Sequence, residues 1–454
     1  MQEFLWGAAT SSHQIDGHNE NSDWWQWEAA GNVEGGVRSG AATDHWKRFK
    51  SDLRLAADLG LTTYRFSIEW ARLEPEEGRW NESAFEWYSE MIAECENLGL
   101  LPMATLHHFT SPQWFAAQGG FTSPQASEKF ARYATQVAQR LGSRIPIWCT
   151  FNEPMVLVFG TYIARIMPPA IFAPKLVGAA CNGILKSHVL AYDILHSSKL
   201  APREGRWKDR PLEVGIAHNI VDFRADRRWH PMENLLVYVF RKFFNRSWLD
   251  AVTGKKQRFA VPFLVPRSRP VSEALGRRTV DYIGANYYTK GYVQWRPKSA
   301  GEGTSKDMPI GVSFARRRET ASDLGWAIHP EGLARTLHFV ARYQLPIYVT
   351  ENGIADAKDV LRPEYLVSHL REIARAIKKG IDVRGYYHWS LLDNFEWIKG
   401  FWPRFGLYQV DYETFERRAT RSALLYKKLI EAHRATPENP SRSPDSRYLG
   451  GHGL

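Results

Sequence analysis

The sequence predicts a single (β/α)8 barrel, the TIM-barrel architecture, with long loops after its strands. Eight apolar, β-rich runs alternate with amphipathic helical patterns, and no compositional break divides the 454 residues. A doubly wound sheet is the main competitor. A dinucleotide-binding version of it would carry Gly-x-Gly-x-x-Gly after the first strand, and none stands there.

Strands are expected at 4–8, 63–66, 103–106, 147–151, 214–217, 282–285, 347–350 and 385–389. Each is short, rich in aliphatic and aromatic residues, and bounded by polar or glycine-containing stretches. Helical spacing covers 49–59, 83–98, 127–141, 178–195, 331–343 and 363–379. In the last of these Leu366, Leu370, Ile373 and Ile377 share a face, Pro363 sits near the start and Gly380 follows the end. Residues 296–323, rich in Gly, Ser and Arg, read as a long loop over the barrel. The barrel domain is expected to run from 1 to 434. Residues 435–454, rich in Pro, Ser and Gly, read as a flexible tail.

Composition removes several function classes. The formal charge of +10 raises nucleic acid as a partner, yet the longest basic run is Arg316-Arg317-Arg318 and no zinc-finger or RNA-binding spacing accompanies it. Three cysteines, Cys95, Cys149 and Cys181, lie far apart without a Cys-x-x-Cys, so neither a disulfide framework nor a cysteine zinc site is expected. The start of the chain lacks a signal-peptide pattern and no window is long and apolar enough for a membrane span. A cytoplasmic protein with no metal and no cofactor is the expectation, its oligomeric state open. Aromatic residues are abundant at 13%, as suits a ring-lined cleft.

In a barrel of this kind the residues just after each strand converge on one face. Those positions hold Gln14, Arg65, His107-His108, Asn152-Glu153, Asn286 with Tyr288, Glu351-Asn352-Gly353, and the run Trp389 to Trp397 that includes Asp393 and Glu396. Two glutamates, Glu153 and Glu351, thus end strands four and seven. Paired carboxylates on facing walls suit glycosidic cleavage, where one protonates the departing oxygen and the other attacks the sugar carbon or activates water. His107-His108 lacks the companions of a metal site. Ser11, Ser12 and Asp393 have no nucleophile–base spacing. Trp114 and Trp402 either line the entrance or pack loops.

At these residues the chain resembles family 1 glycoside hydrolases, the β-glucosidase family. The strongest matches are Thr150–Pro154 (TFNEP), Tyr348–Gly353 (YVTENG) and Trp389–Trp397 (WSLLDNFEW), supported by 4–14, 64–70 and 284–289. The resemblance implies a retaining β-glycosidase working by double displacement, with Glu153 as acid/base and Glu351 as nucleophile. It implies that Arg65, Tyr288 and Asn286 orient the nucleophile and that Asn152 bonds the sugar 2-OH. Gln14, His108, Tyr288, Glu396 and Trp397 would then hold the sugar over Trp389, and the substrate would be a small β-glycoside or oligosaccharide. Some positions depart from the family's usual pattern. Phe109 stands where Trp is common and Asp16 where Glu is. Members acting on 6-phosphosugars carry Ser in place of the glutamate, then Lys and Tyr; here the residues are Glu396, Pro403 and Phe405. A 6-phospho-β-glycosidase and a non-catalytic sugar binder are the rival readings, and the preferred sugar is open.

Overall fold

The computed structural model describes residues 3–197, 200–256, 258–261, 264–296 and 310–435. Eight parallel strands close into a barrel, in the order β1-β8-β7-β6-β5-β4-β3-β2. They are β1 (Leu5–Ala9), β2 (Thr63–Ser67), β3 (Leu101–His107), β4 (Ile147–Asn152), β5 (Glu213–Asn219), β6 (Tyr282–Asn286), β7 (Ile347–Asn352) and β8 (Val383–Trp389). All eight coincide with the expected runs.

Side chains alternate across the barrel wall, as strand geometry demands. On β1, Leu5 and Ala9 join the barrel interior with Leu101, Met103, Ile147, Tyr282, Tyr348 and Tyr387. Trp6 and Ala8 face outward into the layer between strands and helices. The large interior rings need room. A Cβ at Gly7 would lie 2.6 Å from the Tyr387 ring, so the small residue is dictated by the ring packed against it.

The expected helices appear with shifted starts. Phe49 lies inside His45–Asp58, and 178–195 is extended back to Pro174, whose fixed φ suits a first helical position. The pattern read over 331–343 is the helix Pro330–Val340 followed by a tight turn to Tyr343. The closing helix Arg421–Ala435 packs against the outer wall of the barrel, where Tyr426 meets Trp6 and its hydroxyl donates to the Gly7 carbonyl at 3.0 Å.

One expectation is corrected. Residues 296–323 are not loop throughout, because Ile310–Ser313 pairs antiparallel with Lys290–Trp295, which pairs parallel with Asp222–Ala225. This small sheet stands over the strand ends. Residues 297–309 and the tail from 436 onward lie outside the described residues. No helix among the described residues is long and apolar enough to cross a membrane. Cys95, Cys149 and Cys181 are buried and unpaired.

Candidate active site

The ring of strand ends sets the site. Asn286 on β6 is in register with both Asn219 on β5 and Glu351 on β7. Glu153 follows β4, so β5 and β6 lie between the two glutamates.

Each motif residue has a distinct task. Thr150 of TFNEP ties to His188 at 2.6 Å and Phe151 stacks on Phe130, fixing the strand end. Glu153 itself adopts a left-handed backbone with φ 46°, and Pro154 opens the helix Pro154–Phe159. A non-glycine residue there costs on the order of 1 kcal/mol, and such strain clusters at functional sites. In the TENG stretch the Thr350 hydroxyl donates to Asn286 Oδ1 at 2.6 Å, which turns the Asn286 amide nitrogen toward Glu153. Asn352 bonds the Tyr287 carbonyl and the Tyr365 hydroxyl. Gly353 leaves space for the Trp389 carbonyl, which would sit 1.9 Å from an added Cβ.

Glu351 is held at both oxygens. Arg65 Nη1 donates to Oε1 at 2.6 Å and the Tyr288 hydroxyl to Oε2 at 2.5 Å. The second guanidinium nitrogen of Arg65 reaches Asn152 Oδ1 at 2.7 Å. The Arg65 side chain is fully buried, so this pair is unscreened by solvent. Asn286 Nδ2 donates to Asn152 Oδ1 at 3.2 Å and to Glu153 Oε1 at 2.8 Å, and Asn219 Nδ2 is a second donor to Glu153 Oε1 at 3.1 Å. An unbroken chain of hydrogen bonds therefore joins Glu351, Arg65, Asn152, Asn286 and Glu153.

The two carboxyl groups differ in environment. Burial, with the nearby Glu351 charge second, pushes Glu153 up to about 8, against the opposing donors Asn286 and Asn219. Glu396 is likewise raised to about 8 by burial and then by Glu351. Burial, then Arg65, holds His108 well below the usual imidazole range, so its ring is neutral. Because Arg65 and Asn286 occupy Asn152 Oδ1, Asn152 Nδ2 faces His108 Nε2 at 3.1 Å. The ring proton then sits on Nδ1, which has no partner among the described residues.

The remaining predicted residues gather here too. Gln14 Nε2 donates to Asn394 Oδ1, the Phe395 carbonyl and Glu396 Oε2 at 2.8, 3.0 and 3.3 Å. The His108 ring is roughly parallel to both Trp389 and Trp397, with centres 5.9 and 6.1 Å apart. Phe109 meets Trp397 edge-on at 5.2 Å. Asp393 instead serves structure, accepting from the Gly406 amide and Arg404. Trp114 packs on Trp70 and donates to the Glu74 carbonyl, which settles it as a loop anchor. Trp402 is 42% exposed. Sequence reading misses Asn219, because the expected fifth strand ends at Ala217 whereas the observed one runs to Asn219. The same apolar-run-then-amide signal marked Asn152. Among the described residues no cluster of three or more His, Cys, Asp or Glu is placed to hold a metal.

Comparison with known proteins agrees with this arrangement. A β-glycosidase from Pyrococcus horikoshii superposes with a TM-score of 0.82 at 36% identity, covering 99% of this chain and 97% of its own. A β-glucosidase from Thermotoga maritima in complex with noeuromycin gives 0.83 at 28% identity, over 95% and 98%. A β-galactosidase from Pyrococcus woesei is 29% identical over 94% of this chain and 96% of its own length. The sequence profile of glycosyl hydrolase family 1 matches residues 1–435, and with both motif glutamates at the mouth of one closed barrel, the chain belongs to that family.

Proposed function

We propose that this retaining β-glycosidase removes terminal β-D-glucosyl residues from small glycosides, with Glu351 as nucleophile and Glu153 as acid/base. Glucose is chosen on the strength of the relatives named β-glucosidase from Thermotoga maritima and Acetivibrio thermocellus, and β-galactosides are a second substrate class on the strength of the Pyrococcus woesei relative. The observation that carries the assignment of roles is the unequal setting of the two carboxyl groups. Glu351 is locked in an ion pair with Arg65, whereas burial keeps a proton on Glu153 to about pH 8.

In the first step a Glu351 oxygen bonds to the anomeric carbon as the bond to the aglycone oxygen breaks. Glu153 gives its proton to that oxygen. In the second step water attacks the same carbon, Glu153 takes its proton, and the Glu351–sugar bond breaks. Asn152 is suited to hold the 2-OH, since Arg65 and Asn286 already fix its amide. Gln14, Glu396 and His108 suit the remaining hydroxyls, and Trp389 and Trp397 suit the apolar C–H faces of a pyranose. A 6-phosphate finds no cation where phosphosugar members place one. Phe405 packs against Tyr288 there, and Arg404 is engaged with Asp393.

Glu153→Ala tests the assignment. Hydrolysis of an alkyl β-glucoside should fall about 10²- to 10⁴-fold, with far smaller loss on a dinitrophenyl β-glucoside whose leaving group needs no proton. Equal losses on both would remove Glu153 as the acid.

A further inference from the structure

The excursion between β5 and β6 builds a second cavity, of about 670 Å³, that the catalytic residues do not use. One wall is the helix Pro231–Phe240 with its continuation Arg241–Arg246. The other is a segment in which Val261 and Val265 exchange both backbone hydrogen bonds, at 3.1 and 2.9 Å. That segment is anchored to the body of the protein. Phe259 packs on the buried Trp248 with ring centres 5.6 Å apart, and its amide donates to Ser268 Oγ at 2.9 Å.

The cavity has two chemical zones. Its floor is apolar, with Phe243 and Val265 buried. Its rim carries Lys242, Lys256, Arg258 and Arg267, all exposed. None of the described residues lining it is acidic. The carboxylates nearest along the chain are engaged elsewhere: Asp250 with Arg246 at 2.9 Å and Lys255 at 3.3 Å, Glu233 with Arg227 at 2.7 Å and Glu273 with Lys186 at 3.4 Å. Lys242, Lys256 and Arg267 have no carboxylate partner among the described residues. Cations gathered around a low-dielectric floor focus a positive potential that the protein does not neutralise. An inorganic anion would answer the rim and leave the floor wet. A neutral hydrocarbon would answer the floor alone. The volume lies in the range of small-molecule pockets.

We propose that this cavity binds a small amphiphilic anion, a carboxylate or phosphate monoester carrying an apolar body. The acid sits among Lys242, Lys256 and Arg267, and the body lies on Phe243 and Val265. The site is separate from the sugar-binding residues, so its occupancy does not depend on the catalytic assignment.

The test is calorimetric titration of the full chain with 1-naphthyl phosphate, the sugar site being filled with glucose. Saturable one-to-one binding is expected. The Lys242→Glu/Arg267→Glu double variant should weaken it about tenfold or more, with glycosidase activity and circular dichroism unchanged. Neutral 1-naphthol and inorganic phosphate should each bind at least about tenfold more weakly than the combined ligand. Absence of saturable binding, equal affinity for naphthol, or indifference to the double variant overturns the proposal. So does a chain that sediments with phosphatidylglycerol vesicles through these residues yet ignores naphthyl phosphate, which would make the surface a lipid-headgroup contact.

Discussion

Replacing Glu153 by Gln should stabilise the protein in alkaline solution while destroying most of its activity. The reasoning starts from burial. In the folded chain Glu153 is raised from an ordinary 4.5 to about 8. A carboxyl group raised in this way supports folding fully below pH 4.5, and that support is lost as the pH climbs through about 8. At about 1.4 kcal/mol per pH unit, the gap corresponds to a loss on the order of 5 kcal/mol by the time the folded group ionises. Gln copies the protonated acid. Its oxygen can accept from Asn286 and Asn219, and its nitrogen takes the place of the acid's proton. It also removes one of the charges that hold Glu396 up. The variant and the parent should therefore have nearly matching stability at pH 4, diverge steadily toward about pH 8 and keep that gap above it. For 454 residues the unfolding entropy is about 1 kcal/mol per degree, so the variant's Tm should exceed the parent's by about 5 °C at pH 8.5. Urea unfolding followed by tryptophan fluorescence at several pH values reads the same difference. A stability difference that does not change between pH 5 and 8.5 would refute the claim that Glu153 is protonated by its surroundings.

Two further outcomes follow from the same contacts. Glu351→Gly should lose essentially all hydrolysis yet regain turnover of an activated β-glycoside when azide is supplied, giving an α-glycosyl azide; full residual activity without azide would strip Glu351 of the nucleophile's role. Asn219→Ala removes a donor that favours the ionised form of Glu153, so the alkaline limb of the kcat/KM profile should move upward, by up to about one pH unit. A downward shift of that limb would mean that Asn219 acts on something other than this carboxyl group.

The eight strands were legible because a barrel strand buried on both faces has little freedom in composition, and short apolar runs at regular spacing have few other uses. The site was legible for a related reason. Asn152, Glu153, Glu351 and Tyr288 lie at strand ends or within two residues of them, so placing the strands places them. Glu396 is different. It lies in a loop beyond β8, where Gln14 from the β1 loop donates to it at 3.3 Å; no periodicity reveals that placement, and the family motif alone marks the residue. Asn219 was lost by ending one strand two residues early, which shows how far a small boundary error propagates when function sits at strand ends. The sheet formed by Asp222–Ala225, Lys290–Trp295 and Ile310–Ser313 escaped notice because its outer strands are four residues each and their partners are distant in sequence. Composition there says loop, and tertiary pairing overrides it.

The charge balance of the site explains why its motifs include so many neutral amides. Three carboxyl groups, Glu153, Glu351 and Glu396, share one pocket, and Arg65 is the cation hydrogen-bonded among them. One buried guanidinium can offset one carboxylate. The other two are less costly when protonated, and burial enforces that state on both. Had a second arginine faced Glu153, the acid would be ionised at neutral pH and useless as a proton donor. The neutral amides Asn152, Asn286 and Asn219 solve the positioning problem without supplying that charge: they hold Glu153 and transmit geometry from Arg65, while opposing its protonation only weakly. Asn before Glu in TFNEP is therefore part of the electrostatics, beside the 2-OH contact proposed for it. A cation in its place would have balanced the pocket's charge and left it without an acid.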